Sequence, residues 1–196
     1  MKFESLQTII MVYMALFYTG NGDDGKAGLL GEGRLPKYHP RMEALGAIDE
    51  ATAALGVARA ACCAPQTASL LIRIQHDLYL LMAEVAATPE NTACFHTIDN
   101  ASVTWLEAQI DTLNKTIRSP KEFVLPGDTP AGAALALART IVRRAERRLA
   151  RLLDEGEEIN PFLLSYLNRL SSMCFVLELL ETQHAGHTST LAKEIK

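Results

Sequence analysis

Ala138-Arg139-Thr140-Ile141-Val142-Arg143-Arg144-Ala145-Glu146-Arg147-Arg148-Leu149 carries two superimposed patterns. Extended at both ends, Leu135, Ala138, Val142, Ala145, Leu149 and Leu152 recur at alternating three- and four-residue steps. That spacing predicts a helix with one buried seam, starting at Pro130 and running to about Asp154. Beside the seam, Arg139, Arg143 and Glu146 share one stripe, and Arg144, Arg148 and Arg151 share the other. Six arginines, Arg139 to Arg151, lie within 13 residues with only Glu146 among them. A solvated face with intrahelical pairs is one reading. The other is a polyphosphate site, because a guanidinium fork meets phosphate oxygens two at a time.

Outward from this helix the texture stays helical. Residues 41–62 place Leu45, Ile48, Ala51, Leu55 and Ala58 at helical spacing. Residues 67–87 do the same with Leu70, Leu71, Ile74, Leu78, Leu81 and Val85, and residues 101–117 with Val103, Leu106, Ile110, Leu113 and Ile117. A last helix is predicted over 161–184. Pro89 and Asn91 break the chain after the second helix, and Pro120, Pro126 and Gly127 mark a loop before Pro130. Five amphipathic helices on short connections predict an all-α bundle in residues 40–185, with a tail over 186–196.

Composition agrees. At 196 residues the chain suits one domain, and 48% hydrophobic with 21% charged residues excludes a disordered or fibrous class. Nineteen basic against 23 acidic residues, net −4, argues against a nucleic-acid binder. Aromatics are only 6%, which leans helical. Cys62, Cys63, Cys94 and Cys174 form no CxxC pair, so free thiols in a reducing cytoplasm are expected, with neither zinc nor a disulfide framework. Residues 1–17 form an apolar lead-in. The run Ile9–Tyr18 is too short to span a bilayer and lacks the flanks of a secretion signal, and Met14 is an alternative start.

Residues 18–39 read as a long Gly-rich loop. Gly20-Asn21-Gly22-Asp23-Asp24-Gly25 spells GxGxxG, and Gly20 with Gly25-Lys26 nearly spells a Walker A motif. Neither is followed by a helix or an alternating β/α pattern, so neither dinucleotide nor P-loop fold is expected. Successive glycines still let backbone N–H groups converge on phosphate, against the plain reading of a flexible surface loop. Glu181 and His184 spell a single ExxH, short of the set a di-iron bundle needs.

Taken in order, six segments resemble the ATP:cob(I)alamin adenosyltransferase family of the propanediol-utilisation type. Tyr18-Thr19-Gly20-Asn21-Gly22-Asp23-Asp24-Gly25 is similar to its YT-x-x-GD-x-G, and Arg41–Glu50 to its RVEAYGTVDE. Ile74-Gln75-His76-Asp77-Leu78 is similar to IQNEL, and Phe123-Val124-Leu125-Pro126-Gly127 to F-x-LPG. Ala138–Arg147 resembles ART-x-x-RRAER, and Tyr166–Ser171 resembles YLNRLS.

The resemblance implies a five-helix, ferritin-like up-and-down bundle forming a homotrimer, with ATP bound between subunits. It implies transfer of the 5′-deoxyadenosyl group of ATP to the cobalt of reduced cob(I)alamin or a related corrinoid, with Mg²⁺ assisting, triphosphate leaving and a reductase as partner. No metal ligands are assigned, since Mg²⁺ would enter mainly through ATP. Arg143, Arg144, Arg147 and Lys37 would neutralise the polyphosphate. Glu146 and Asn168 would hold the nucleotide, and Thr19 with the Gly22, Asp23 and Gly25 backbone would close over it. Asp49 and Arg139 would pair across the subunit boundary. Phe123 would lie against the lower corrin face and displace the axial ligand, leaving four-coordinate cobalt that is easier to reduce. Without the resemblance, an anchor into the bundle core is the favoured reading of Phe123.

Departures from the pattern fall at Ala27, Gly28, Thr52, Asp128 and Ser172, and Asp23 and Asp24 add negative charge beside the expected triphosphate. Those at Ala27, Gly28 and Ser172 motivate one alternative, a degenerate paralogue that binds ATP or corrinoid as a carrier or regulator. His39, His96, His184 and His187 match no functional position, and Cys174 reads as core.

Overall fold

The computed structural model describes residues 18–193. The apolar lead-in over 1–17 lies outside them. Five long helices form: α1 (Pro40–Ala61), α2 (Pro65–Ala86), α4 (Asn100–Asn114), α5 (Pro130–Asp154) and α6 (Pro161–His184). A four-residue helix, α3 (Thr92–Phe95), connects α2 to α4.

The starts are set by local chemistry. Proline occupies the first turn of α1, α2, α5 and α6, where its missing N–H is no loss. Thr129 caps α5 by accepting from Gly132 N–H at 3.0 Å, and Asn160 caps α6 by accepting from Phe162 N–H at 3.0 Å. Asp99 and Ser102 make a reciprocal capping box on α4. The predicted third helix, 101–117, stops three residues early. Thr116 and Ile117 N–H both turn back to the Leu113 carbonyl.

Helix α2 has no cap of its own. The carboxylate of Glu181, near the end of α6, accepts from Cys63 N–H at 2.8 Å and from Ala64 N–H at 3.2 Å. The isolated ExxH glutamate therefore serves the orphan amides at a helix start.

Cross-links fix the helix directions. Glu43 and Glu50 of α1 meet Arg148 and Arg144 of α5, so numbering rises on one helix as it falls on the other. Asn160 Nδ2 donates to Ile98 O at one end, and Arg118 N–H donates to Gln183 Oε1 at the other, making α4 and α6 parallel. The order is up, down, up, down, up. One end of the bundle gathers the starts of α1, α4 and α6 and the finishes of α2 and α5.

The predicted seam of α5 is buried throughout: Leu135, Ala138, Val142, Ala145, Leu149 and Leu152 are all 0% exposed. Tyr166, Ile48, Leu55, Leu71, Ile74 and Leu78 meet it from the other helices. Tyr166 O–H donates to buried Asp77 at 2.9 Å, and Arg73 completes the set from its helical turn while its guanidinium lies over Trp105. Helix α6 is apolar and long enough to cross a bilayer, but here it is the core helix of the bundle, with most of its apolar stretch covered.

Two expectations change. Residues 18–39 are not a featureless loop. They hold an antiparallel hairpin, β1 (Lys26–Gly28) with β2 (Arg34–Pro36), in the register Ala27 to Leu35. Arg34 locks it by donating to both oxygens of Asp24, which holds the Asp24 carboxyl below its usual range. Leu30 then pairs with Ala87 at the finish of α2. Gly31 passes so close to Thr88 that a Cβ there would collide with its side chain, and its φ of 143° suits glycine alone. The expected tail is likewise tied down, through an antiparallel bridge from Leu191 to Val124.

Candidate active site

The predicted site residues fall into two separate sets. The hairpin sits where α1 starts. There Thr19 Oγ1 accepts from Asn21 N–H at 3.3 Å, and Lys37 N–H donates to Gly25 O at 2.9 Å. The Lys37 ammonium lies over Gly22, 3.0 Å from where a Cβ would be. Gly20 and Gly25 take positive φ, 71° and 78°, which curls the backbone there and keeps Asp23 exposed. The result is a solvated turn with a lysine over glycine backbone.

Near the middle of α5, Arg139 and Arg143 line a groove of about 680 Å³ with Phe123, Phe175, Val176 and Lys193. Phe123 is 83% exposed. It is no core anchor in this chain; Val124 beside it packs against the core instead. Arg143 is exposed, and among the described residues it makes no ion pair, nor does Arg147. Arg139 is half-buried with its Nε unpartnered.

The second arginine stripe is different. Arg144 pairs with Glu50, Arg148 with Glu43 at 3.4 Å and Arg151 with Glu155 at 2.7 Å. The carboxylates missing from the helix come from α1 and from the residue after α5. Arg144 was expected to hold polyphosphate; within one chain its guanidinium is engaged by Glu50.

Glu146 and Asn168 do come together. Asn168 Nδ2 donates to Glu146 Oε1 at 2.8 Å, Arg169 donates to Asn168 Oδ1 at 2.7 Å, and Glu107 accepts from Arg169 at 2.7 Å. The chain of contacts ties α5, α6 and α4, and it presents Asn168 and Glu146 already oriented. Asp49 is exposed on α1 and does not meet Arg139 within the chain.

Sequence reasoning missed Glu178. It lies on α6, 5% exposed, and burial pushes its carboxyl up to about 6, with Arg139 pulling the other way and Asp128 adding to the rise. Its signal was helical spacing: Ser171, Phe175 and Glu178 follow Asn168 at three, seven and ten residues. Cys174 is fully buried with its thiol pushed up to about 12, which agrees with a core role.

The groove thus joins an unneutralised cationic edge to an aromatic wall. Among the described residues no cluster of three His, Cys, Asp or Glu side chains can hold a metal ion.

The cobalamin adenosyltransferase family model matches residues 17–181. The corrinoid adenosyltransferase PduO of Citrobacter freundii is 37% identical over 179 residues, and that of Salmonella typhimurium 36%. This chain spans about half the length of those two curated relatives, 53% of each, while the alignment covers 91% of this chain. A corrinoid adenosyltransferase of Bacillus subtilis is 37% identical over 174 residues, covering 86% of this chain and 88% of that protein. Among solved structures, a variant PduO-type ATP:corrinoid adenosyltransferase from Lactobacillus reuteri, complexed with cobalamin and ATP, superposes with a TM-score of 0.84. Its identity is 31%, over 92% of this chain and 98% of that one. The bundle, the ordered motifs and these relatives agree, and this chain belongs to the cobalamin adenosyltransferase family.

Proposed function

We propose that this chain transfers the 5′-deoxyadenosyl group of ATP to the cobalt of a reduced corrinoid, releasing triphosphate. The observation that carries the reading is the groove where Arg139 and Arg143 face Phe123, Phe175 and Val176. A reaction that expels a polyphosphate beside a flat macrocycle needs both walls. The cobalt of cob(I)alamin supplies the electron pair of the new Co–C bond, and the C5′–O bond breaks with its pair on triphosphate. Arg143 and Arg147, free of carboxylates among the described residues, stabilise that developing charge. Phe123, held out from the core, excludes a lower axial ligand from the corrin face. The substrate's cobalt supplies the nucleophilic chemistry; the protein orients and neutralises.

ATP sits between copies of a homotrimer in this reading. The hairpin with Lys37 sits at the end of the bundle where α1 starts and α5 finishes, while Arg139 and Arg143 stand roughly 16–22 Å back from that end along α5. One copy's hairpin can serve a neighbour's arginines, and Asp49 can reach the neighbour's unpartnered Arg139. The exposed apolar pair Val57 on α1, seven residues after Glu50, and Leu137 on α5, seven residues before Arg144, suits a covered face. Mg²⁺ fits as the salt of ATP, since it keeps water and phosphate oxygens and takes few protein ligands. Asn168 uses one oxygen of Glu146, and the other remains for a phosphate-bound cation. Cytoplasmic placement with a separate reductase agrees with the free thiols and with the need for Co(I).

Anaerobic incubation of the protein with ATP, Mg²⁺ and cob(I)alamin tests this reading. The corrinoid absorption should convert to that of the adenosylated product with one triphosphate released per turnover. Tight ATP or corrinoid binding without conversion would favour the carrier or regulator instead.

A further inference from the structure

Asp128 stands where the family pattern has glycine, and its side chain is not idle. Its Oδ1 accepts from Thr190 Oγ1 at 2.6 Å and its Oδ2 from Thr190 N–H at 2.9 Å. These two bonds hold the Asp128 carboxyl below the usual carboxylate range. From that point the chain runs antiparallel to the loop that carries Phe123. Leu125 N–H donates to Thr190 O and Ala192 N–H donates to Phe123 O, both at 2.8 Å, and Lys193 pairs with Glu122 at 3.2 Å.

The consequence is directional. In an extended, bridged segment successive side chains point to opposite faces. Val124 packs against the core, so Phe123 and Leu125 on either side of it are turned outward, 83% and 49% exposed. Lys193 and Phe123 line the same groove. Because Phe123 and Leu125 stay exposed, the strap adds little apolar burial of its own. What it fixes is the rotation of the Phe123 segment about its axis.

We propose that Asp128 is a positioning residue: by clamping Thr190 it seats the strap Thr190–Lys193 against Glu122–Leu125 and so aims Phe123 into the groove. The proposal rests on the reading of that groove as the corrinoid site. It concerns the corrinoid side of the reaction and leaves the ATP side alone.

Hydrogen exchange and steady-state kinetics on the full chain test it together. In Asp128→Ala the amides of Leu125, Thr190 and Ala192 should exchange faster than in the wild type, with other bundle amides unchanged. The same variant should lose about tenfold in kcat/KM for cob(I)alamin, while KM for ATP stays within about twofold. Thr190→Val should fall between, and Thr190→Ser, which restores the hydroxyl donor, should return to wild-type values. The four-coordinate cob(II)alamin signature formed with ATP should weaken in Asp128→Ala and recover in Thr190→Ser. Unchanged exchange at those three amides overturns the clamp. Faster exchange with wild-type corrinoid kinetics overturns the aiming of Phe123. Equal losses for ATP and corrinoid, matched by a lower Tm, reduce Asp128 to a structural role. A wild type that adenosylates no corrinoid removes the reading of the groove instead, and the exchange data still decide the clamp.

Discussion

Along one edge of α5, Arg144 and Arg148 face Glu50 and Glu43 across the contact with α1. Along the other, Arg139 and Arg143 face a groove whose lining carboxylate, Glu122, pairs with Lys193 instead. Residue type and helix are the same on both edges, yet charge is spent inside the fold on one and left over on the other. An arginine count therefore locates a basic helix and does not locate a phosphate site. What distinguishes the edges is the neighbouring helix: α1 brings acids, and α6 brings Ser171, Ser172 and Phe175.

The contrast can be broken residue by residue. Arg143→Ala should cost the most, about 2–4 kcal/mol of transition-state stabilisation in kcat/KM for ATP, because a charge-assisted phosphate contact is lost. Steady-state kinetics at saturating corrinoid read it, and unaltered ATP parameters would remove Arg143 from the site. Asp49→Asn should weaken assembly by about 2–3 kcal/mol if the carboxylate meets a neighbour's Arg139. Mass measurement across a dilution series reads this, and a fully active monomeric wild type would end that idea. Phe123→Ala should slow adenosylation by about 10–100-fold, or 1.4–2.7 kcal/mol, with thermal stability and ATP affinity nearly unchanged, since so exposed a ring supports little of the core. Early melting in that variant would contradict the exposed position.

Glu178 sharpens the comparison from beneath the open edge. Its folded value of about 6 lies above the ordinary 4.5, so between those pH values the folded chain binds more protons than the unfolded one. Stability then falls as pH rises through that window and stays lower above it. Glu178→Gln should raise stability at pH 7 by about 1–2 kcal/mol and flatten the dependence between pH 4.5 and 6. Urea unfolding at the two pH values measures both. The smallest effect belongs to the paired edge. Glu50→Gln should change stability by about 0–1 kcal/mol, because the Arg144 pair is solvent-exposed. A loss of ATP affinity in Arg144→Ala as large as in Arg143→Ala would show that the Glu50 pair opens for the nucleotide.

The helical order was legible because seam residues repeat at 3–4 spacing over long runs, as from Leu135 to Leu152. The hairpin was not, since β1 and β2 are three residues each and are specified by one contact, Arg34 on Asp24, ten residues apart. Periodicity cannot register so short an element. The candidate site residues on α5 and α6, Arg143 and Asn168 among them, could be named one by one from the motifs. The partners of the other stripe could not, because Glu50 and Glu43 reach Arg144 and Arg148 across a helix contact that a single helical wheel leaves out. Asp128 was visible only as a departure, and its partner Thr190 lies 62 residues away.

The Glu181 cap on α2 also sets a schedule for synthesis. The amides of Cys63 and Ala64 have their carboxylate 118 and 117 residues later in the chain. A ribosome adding about 5–20 residues per second needs roughly 6–24 s to supply it. Until then the turn between α1 and α2 must leave those donors to water. The last helix to emerge is the one that seals the first hairpin of helices, so a nascent chain stalled before residue 181 has the bundle's earliest turn still open.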